Sequence, residues 1–144
     1  MIAFLSGFNK TTALSKSVIL YGVLNYLKRS TQDYVLLCES NVITNKTFND
    51  LFAKHLDSHA DMTVVYKEVD GNEQSGVEAY ILTDEEGNVT DIERGENISG
   101  ATKKYYGTVL IKKQVLINII EHSKVRGKKG YLTNLIQRNI GRLN

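Results

Sequence analysis

His55 and His59 are four residues apart, a spacing that puts both imidazoles on one face of a helix, as a zinc pair requires. A third ligand is missing. Asp57 and Asp61 are near in sequence but complete no zinc signature, so the two histidines read as surface and helix-end residues. Ser6 lies in LSGF and not in a G-x-S-x-G elbow, and the single Cys38 has no histidine near it in sequence. Its place at a strand end predicts a buried, inert thiol. Lys10-Thr11-Thr12 resembles the end of a phosphate loop, but Gly7 stands alone before it, without the Gly-rich turn that cradles phosphate. The acidic residues Asp84, Glu85, Glu86, Asp91, Glu93 and Glu96 gather around a hairpin signal and read as a solvated edge. What remains is the loop LLCESNVITN, Leu36–Asn45. It follows a strand and precedes a helix, the position where α/β proteins commonly hold ligands.

The elements that position these residues follow from periodicity. Ile2–Leu5 is a short strand and Ala13–Arg29 a helix, with Leu20, Val23, Leu24 and Leu27 at helical spacing. Tyr34–Cys38 is an apolar run, as expected of a strand covered on both faces. Thr47 is placed to cap a second helix, with Leu51, Phe52, His55 and Leu56 inward and an end near His59. Met62–Val69 is rich in β-branched residues and reads as the next strand. Strand, helix and strand in so short a span predict a right-handed crossover into a parallel pair. Val77–Leu82 and Asn88–Ile92 form a hairpin through Asp84–Gly87, Glu93–Lys103 is irregular, and Tyr105–Ile111 is a further strand. Helices over Lys112–His122 and Tyr131–Gly141 close the chain.

At 144 residues the chain is long enough for one domain, and the fold class expected is α/β, three-layered, with a mostly parallel mixed sheet. Its net charge of +2 is scattered, and the one basic cluster, Lys124–Lys129, reads as a solvated loop between helices, so no nucleic-acid partner is expected. No run is long enough for a membrane span, Met1–Leu5 lacks signal-peptide character, and a lone cysteine suits a reducing compartment. A cytoplasmic protein is the expectation. Proline is absent where about seven would be usual, so no cis-proline turn can shape a site loop.

The order of elements resembles the sugar-nucleotide pyrophosphorylases. Within them it is most similar to bacterial glucose-1-phosphate adenylyltransferase, in the regulatory-type second subunit of Gram-positive bacteria. The resemblance rests on Val23–Ser30 (VLNYLKRS), the strand Tyr34–Leu37, the loop Cys38–Lys46, and His55 followed by Ala60-Asp61-Met62-Thr63. It continues through Asn88–Glu93 (NVTDIE) and Tyr106–Leu110 (YGTVL), and covers about Ser17 to Asn144. It implies one partial nucleotidyltransferase-like domain over residues 1–144. Its fold would be that of the nucleotide-diphospho-sugar transferases, without the N-terminal Gly-rich loop and without the β-helix domain that follows in the family.

The same resemblance places departures at the site. Catalytic members carry Gly-Asp in the metal loop, where the carboxylate holds Mg²⁺. Here the pair falls on Ser40-Asn41, which offer a hard cation no charge. The family's Glu-Lys-Pro tract becomes Glu93 followed by Arg94-Gly95-Glu96, and its sugar-contacting Ser before the later Gly becomes Tyr105, ahead of Gly107. Arg94 or Lys103 could stand in for the missing cation. The implied reading is a subunit piece that does not turn over substrate alone and needs no cofactor, although the active family uses Mg²⁺. Its expected partners are a catalytic adenylyltransferase subunit or another copy of itself, with a sugar nucleotide as the small-molecule candidate. Two alternatives stand beside it: an active transferase using Glu39, Asp91 and Glu93 as metal ligands, and an unrelated α/β interaction module.

Overall fold

The computed structural model describes residues 2–6, 16–39, 47–69, 78–95, 98, 102–125 and 136–143. Six strands, β1 (Ile2–Ser6), β2 (Tyr34–Glu39), β3 (Met62–Glu68), β4 (Glu78–Thr83), β5 (Val89–Gly95) and β6 (Lys103–Lys112), form one sheet. Helices α1 (Lys16–Arg29), α2 (Phe48–Ser58) and α3 (Lys113–Val125) and a 3-10 turn, Ile140–Arg142, complete the order. The loop 40–46, the segment 70–77 and residues 126–135, which include the first five positions of the expected last helix, lie outside the described residues.

The organising strand is β6. Its second half, from Thr108 to Lys112, pairs antiparallel with β2, and its other edge pairs antiparallel with β3. At Lys104 it meets Tyr80 of β4, which carries β5 outward. Only β1 and β2 run parallel. The expected mostly parallel sheet is therefore wrong. β2 and β3 do point the same way, since each is antiparallel to β6, but β6 lies between them, so they are not the adjacent pair expected of the crossover. A strand-helix-strand spacing fixes the direction of the second strand but not whether a later strand enters the gap.

Strand alternation sorts the side chains into two faces. Val35 and Leu37 of β2 and Val109 and Ile111 of β6 join Leu24 and Leu27 of α1 and Leu116, Ile117, Ile119 and Ile120 of α3 in the main core. The opposite residues of β2 face α2: Tyr34 meets Phe52 edge-on at 5.1 Å and His55 at 5.4 Å between ring centres. Helices thus cover both faces. α1 and α3 are also strapped by Lys28 and Glu121 at 2.5 Å, a half-exposed ion pair worth at most about 1 kcal/mol. Their junction is tighter in polar terms. The Lys113 amide donates to Asp33 O at 2.7 Å and its Nζ to Ser30 O at 2.8 Å, so the start of α3 ties down the turn that enters β2.

Helix ends depart from expectation in one detail. Thr47 occupies the N-cap position with extended backbone, but its hydroxyl makes no bond to a helix amide. It donates instead to Asp50 Oδ2 at 2.7 Å. At the other end His59 adopts the left-handed conformation (φ 54°) and donates its amide to Leu56 O, which stops α2 without glycine. The hairpin follows its signal: Gly87 has φ 88°, and Asp84 accepts bonds from the Glu86 and Asn88 amides. β5 runs on to Gly95 and β6 begins at Lys103, so residues expected to be irregular at 93–95 and 103 are strand.

Ile120 is fully buried in the main core whereas Tyr26, on the outer side of α1, is 54% exposed. Ile120→Ala is expected to cost about 2–5 kcal/mol in denaturant unfolding, and Tyr26→Ala about 0.5 kcal/mol or less.

Candidate functional site

α2 lies against the sheet through a small polar cluster. His55 is 1% exposed, so it belongs to the interior and not to the surface as expected. Helical spacing puts it on the inner face, and the β6-side neighbour β3 brings Thr63 within reach: Nδ1 and Thr63 Oγ1 are 2.7 Å apart. Nε2 is buried with no hydrogen-bond partner among the described residues. Next to this pair Asp61 is held twice by Lys112, through Nζ on Oδ1 at 2.8 Å and through the Lys112 amide on Asp61 O at 3.0 Å. Burial holds the His55 imidazole below its ordinary pKa of 6.5, the Lys112 charge lowers it further, and the Asp61 charge pulls the other way. His59, by contrast, is exposed at the helix end. The two histidines do not act together, and among the described residues no group of three His, Cys, Asp or Glu side chains could hold a metal.

Between the first half of α2 and β3 runs a groove of about 800 Å³, lined by Thr47, Phe48, Asp50, Leu51 and Lys54 from the helix. Thr63, Val65 and Lys67 of β3 and Tyr106 and Thr108 of β6 are on its wall. It begins at Thr47, the N-cap of α2. Ser40 and Asn41 lie outside the described residues. At the end of β2, Cys38 is opposite Thr108 and half-buried. Burial raises its thiol pKa, and the Thr108 hydrogen bond only partly offsets this, so the sulfur stays protonated at neutral pH and is a poor nucleophile.

Four further candidates, Glu93, Arg94, Tyr105 and Gly107, are not brought to one place. Directly paired residues share a face, and Lys67, Lys104, Tyr80 and Glu93 form one lateral row across β3, β6, β4 and β5. Glu93 therefore lies on the side of the sheet that carries the groove. Arg94, its neighbour, is opposite Ala79 on the other side, where Tyr105 packs against the main core. Lys103, expected as a stand-in cation, directs Nζ to Thr83 Oγ1 at 2.5 Å and over the Tyr66 ring at 5.4 Å. The positive charge on Glu93's face is Lys104, with Lys67 beside it, and this sequence reasoning missed. The signal was available in the alternation of TVVYKE and TKKYY, once the register of the two strands is known.

Gly107 has a local reason to be glycine. One step on β3, from Val65 to Tyr66, corresponds to three on β6, from Thr108 to Tyr105, so Tyr106 and Gly107 bulge from the ladder. Gly107 has φ 67° and is buried there. The carboxylates are likewise local structure. Asp91 Oδ1 accepts from the Ile92 amide at 2.7 Å and from Gln137 Nε2 at 2.8 Å. The Asn88 side chain foremost, then the turn amides, hold the Asp84 carboxyl below its ordinary range.

No family model matches the sequence, and no curated protein matches it. Among 130 solved chains that match in structure is HddC from Yersinia pseudotuberculosis, with a TM-score of 0.56 and 14% identity. The alignment covers 76% of this chain and 44% of that one, so this chain spans less than half the length of HddC. At that identity the likeness describes the fold alone: an α/β domain with a sheet of this kind. No helix among the described residues is long and apolar enough to cross a membrane.

Two substitutions test the local geometry. Thr63→Val leaves Nδ1 of a buried imidazole without its bond and is expected to cost about 1–3 kcal/mol in chemical unfolding. Gly107→Ala forces a Cβ into the left-handed region and is expected to cost about 1–2 kcal/mol, whereas Gly22→Ala, in the helix α1 with open space around it, should be neutral or stabilising.

Proposed function

We propose that the chain is the central and C-terminal part of a nucleotidyltransferase-like domain from a regulatory-type glucose-1-phosphate adenylyltransferase subunit, silent in catalysis by itself. The observation that carries this reading is the behaviour of the stretch His55…Ala60-Asp61-Met62-Thr63, the most specific part of the resemblance. Its polar members each join two elements. Thr63 bonds His55 and so ties α2 to β3, and Asp61, just before β3, bonds Lys112 at the end of β6. Residues matched to a family by type thus have a shared structural reason to occur together. The fold likeness to HddC agrees with a domain of this architecture and says nothing of substrate.

Silence follows from the donors present. Phosphoryl-type transfer is catalysed by positioning and charge neutralisation, and a divalent cation needs carboxylate oxygen at the transferred phosphates. Mg²⁺ does not fit the groups available here. Ser40 and Asn41 are neutral, Asp91 has one carboxylate oxygen engaged by an amide and by Gln137, and the groove carboxylates Asp50 and Glu68 belong to no group of three acidic, His or Cys side chains among the described residues. The polar side chains on the groove, Thr47, Lys54, Lys67, Tyr106 and Thr108 beside the carboxylates Asp50 and Glu68, suit the hydroxyls and charge of a bound sugar nucleotide better than bond-making. A catalytic adenylyltransferase subunit is the partner this reading requires, in the synthesis of ADP-glucose.

The test is turnover of ATP and glucose 1-phosphate by the purified chain with excess Mg²⁺, followed by diphosphate release. No release above the blank is expected. Release that Glu39→Ala abolishes would replace this reading with an active, rearranged site.

A further inference from the structure

We propose that α2 is a proton-sensitive element: a neutral His55 docks it on the sheet, and uptake of a proton releases the helix together with the groove it walls. The inference starts from geometry. His55 is the only wholly buried residue of α2 among those described, and most of the helix surface is in contact with solvent, with Leu56 42% exposed. One imidazole thus concentrates the attachment of the helix. Its Nδ1 has a partner in Thr63 Oγ1, and its Nε2 has none among the described residues. An orphan buried acceptor is better tolerated than an orphan buried donor. The docked form is therefore the tautomer with the proton on Nδ1, donated to Thr63, and a bare Nε2 in the dry interface.

Protonation would place an N–H on Nε2 with no acceptor, in a spot that cannot be hydrated while α2 stays in place. The groups that face the ring from the packed elements are Tyr34 of β2, Thr63 of β3, Asp61 before it, and Lys112 of β6. Asp61 is the one anion among them, and it is already paired with the cation of Lys112 at 2.8 Å. On α2 itself Asp57 and the following His59 are exposed. Asp61 alone in this set favours the imidazolium, and the Lys112 cation it is paired with opposes it.

The sign follows from linkage. The docked imidazole resists the proton more than an undocked one, whose ordinary pKa is 6.5. The contribution of His55 to docking is complete above that value and falls as the pH drops through 6.5 toward the lower docked value. Between pH 7.5 and 5.5 the α2 opening equilibrium should rise by up to about tenfold, one decade per unit below 6.5. Since Thr47, Phe48, Leu51 and Lys54 wall the groove, acidification acts on the groove as well.

The experiment is hydrogen exchange of backbone amides, as protection factors corrected for intrinsic rates, at pH 7.5 and 5.5, with the ¹⁵N imidazole spectrum of His55 recorded alongside. The expected result is a loss of protection of up to about tenfold in α2, with α1 and α3 little changed, and an Nδ1–H neutral imidazole in the docked state at pH 5.5. In His55→Phe, which keeps an aromatic ring against Tyr34, the α2 loss should vanish. Equal loss in α1 and α3, or the same loss in His55→Phe, would overturn the proposal. If that variant does not fold, the wild-type spectrum decides: an imidazolium at pH 5.5 beside fully protected α2 amides would overturn it too.

Discussion

The structure depends on β6 being hydrogen-bonded along both edges. One side carries β2 and, further back, β4, and the other carries β3. Its two faces serve two cores. Val109 and Ile111 fill the space under α1 and α3, and Thr108 and Leu110, which alternate with them, lie on the side that α2 covers. A strand in this position admits little change. A slip of one residue would exchange the faces along its whole length and turn the charged ends into the core. The bulge at Tyr106 and Gly107 is consistent with this demand. It lies where β6 leaves β2 and takes up β4, while β3 stays paired on both sides of it.

α2 is a different kind of attachment. α1 and α3 bury rows of aliphatic side chains, whereas α2 meets the sheet through rings and one polar cluster. Apolar burial of about 25 cal/mol per Å² favours the first arrangement heavily. What His55, Thr63, Asp61 and Lys112 add is position. The His55–Thr63 bond fixes where along β3 the helix lies, and the Asp61–Lys112 pair fixes the start of β3 against β6. A buried imidazole bonded in this way contributes little net stability and costs much when its partner is removed. A groove bounded by such a helix has one firm wall, β3, and one wall held by directional bonds.

Much of this was legible in the residues. The apolar run Tyr34–Leu37, the helical spacing in α1 and α3, and the Gly87 turn each have a local cause, and each formed as expected. The insertion of β6 had no local signal, because its two partners lie about 40 to 70 residues earlier in the sequence and pairing leaves no trace in either strand alone. His55 shows the same limit at smaller scale. Periodicity put it on the inner face, but its type argued for the surface until Thr63, eight residues on, supplied the bond. Glu93 and Arg94 were grouped by adjacency. Once β5 extends through them, adjacency is the reason they part, since neighbours on a strand point to opposite faces. The loop carrying Ser40 and Asn41 was read by alignment to a motif.

The place of β6 in the chain also orders the events of folding. β2 and β3 are complete by residue 68, yet neither has its shared neighbour until residues 103–112 exist. During synthesis at about 5–20 residues per second, this leaves several seconds in which β2 has only β1 beside it and β3 has no neighbour. Such long-range pairing slows folding and favours mispairing, for example of β2 directly with β3 or with another chain. The parallel pair that the sequence suggests when read from its start is thus a natural competitor in the nascent chain, which the later strand must displace or forestall.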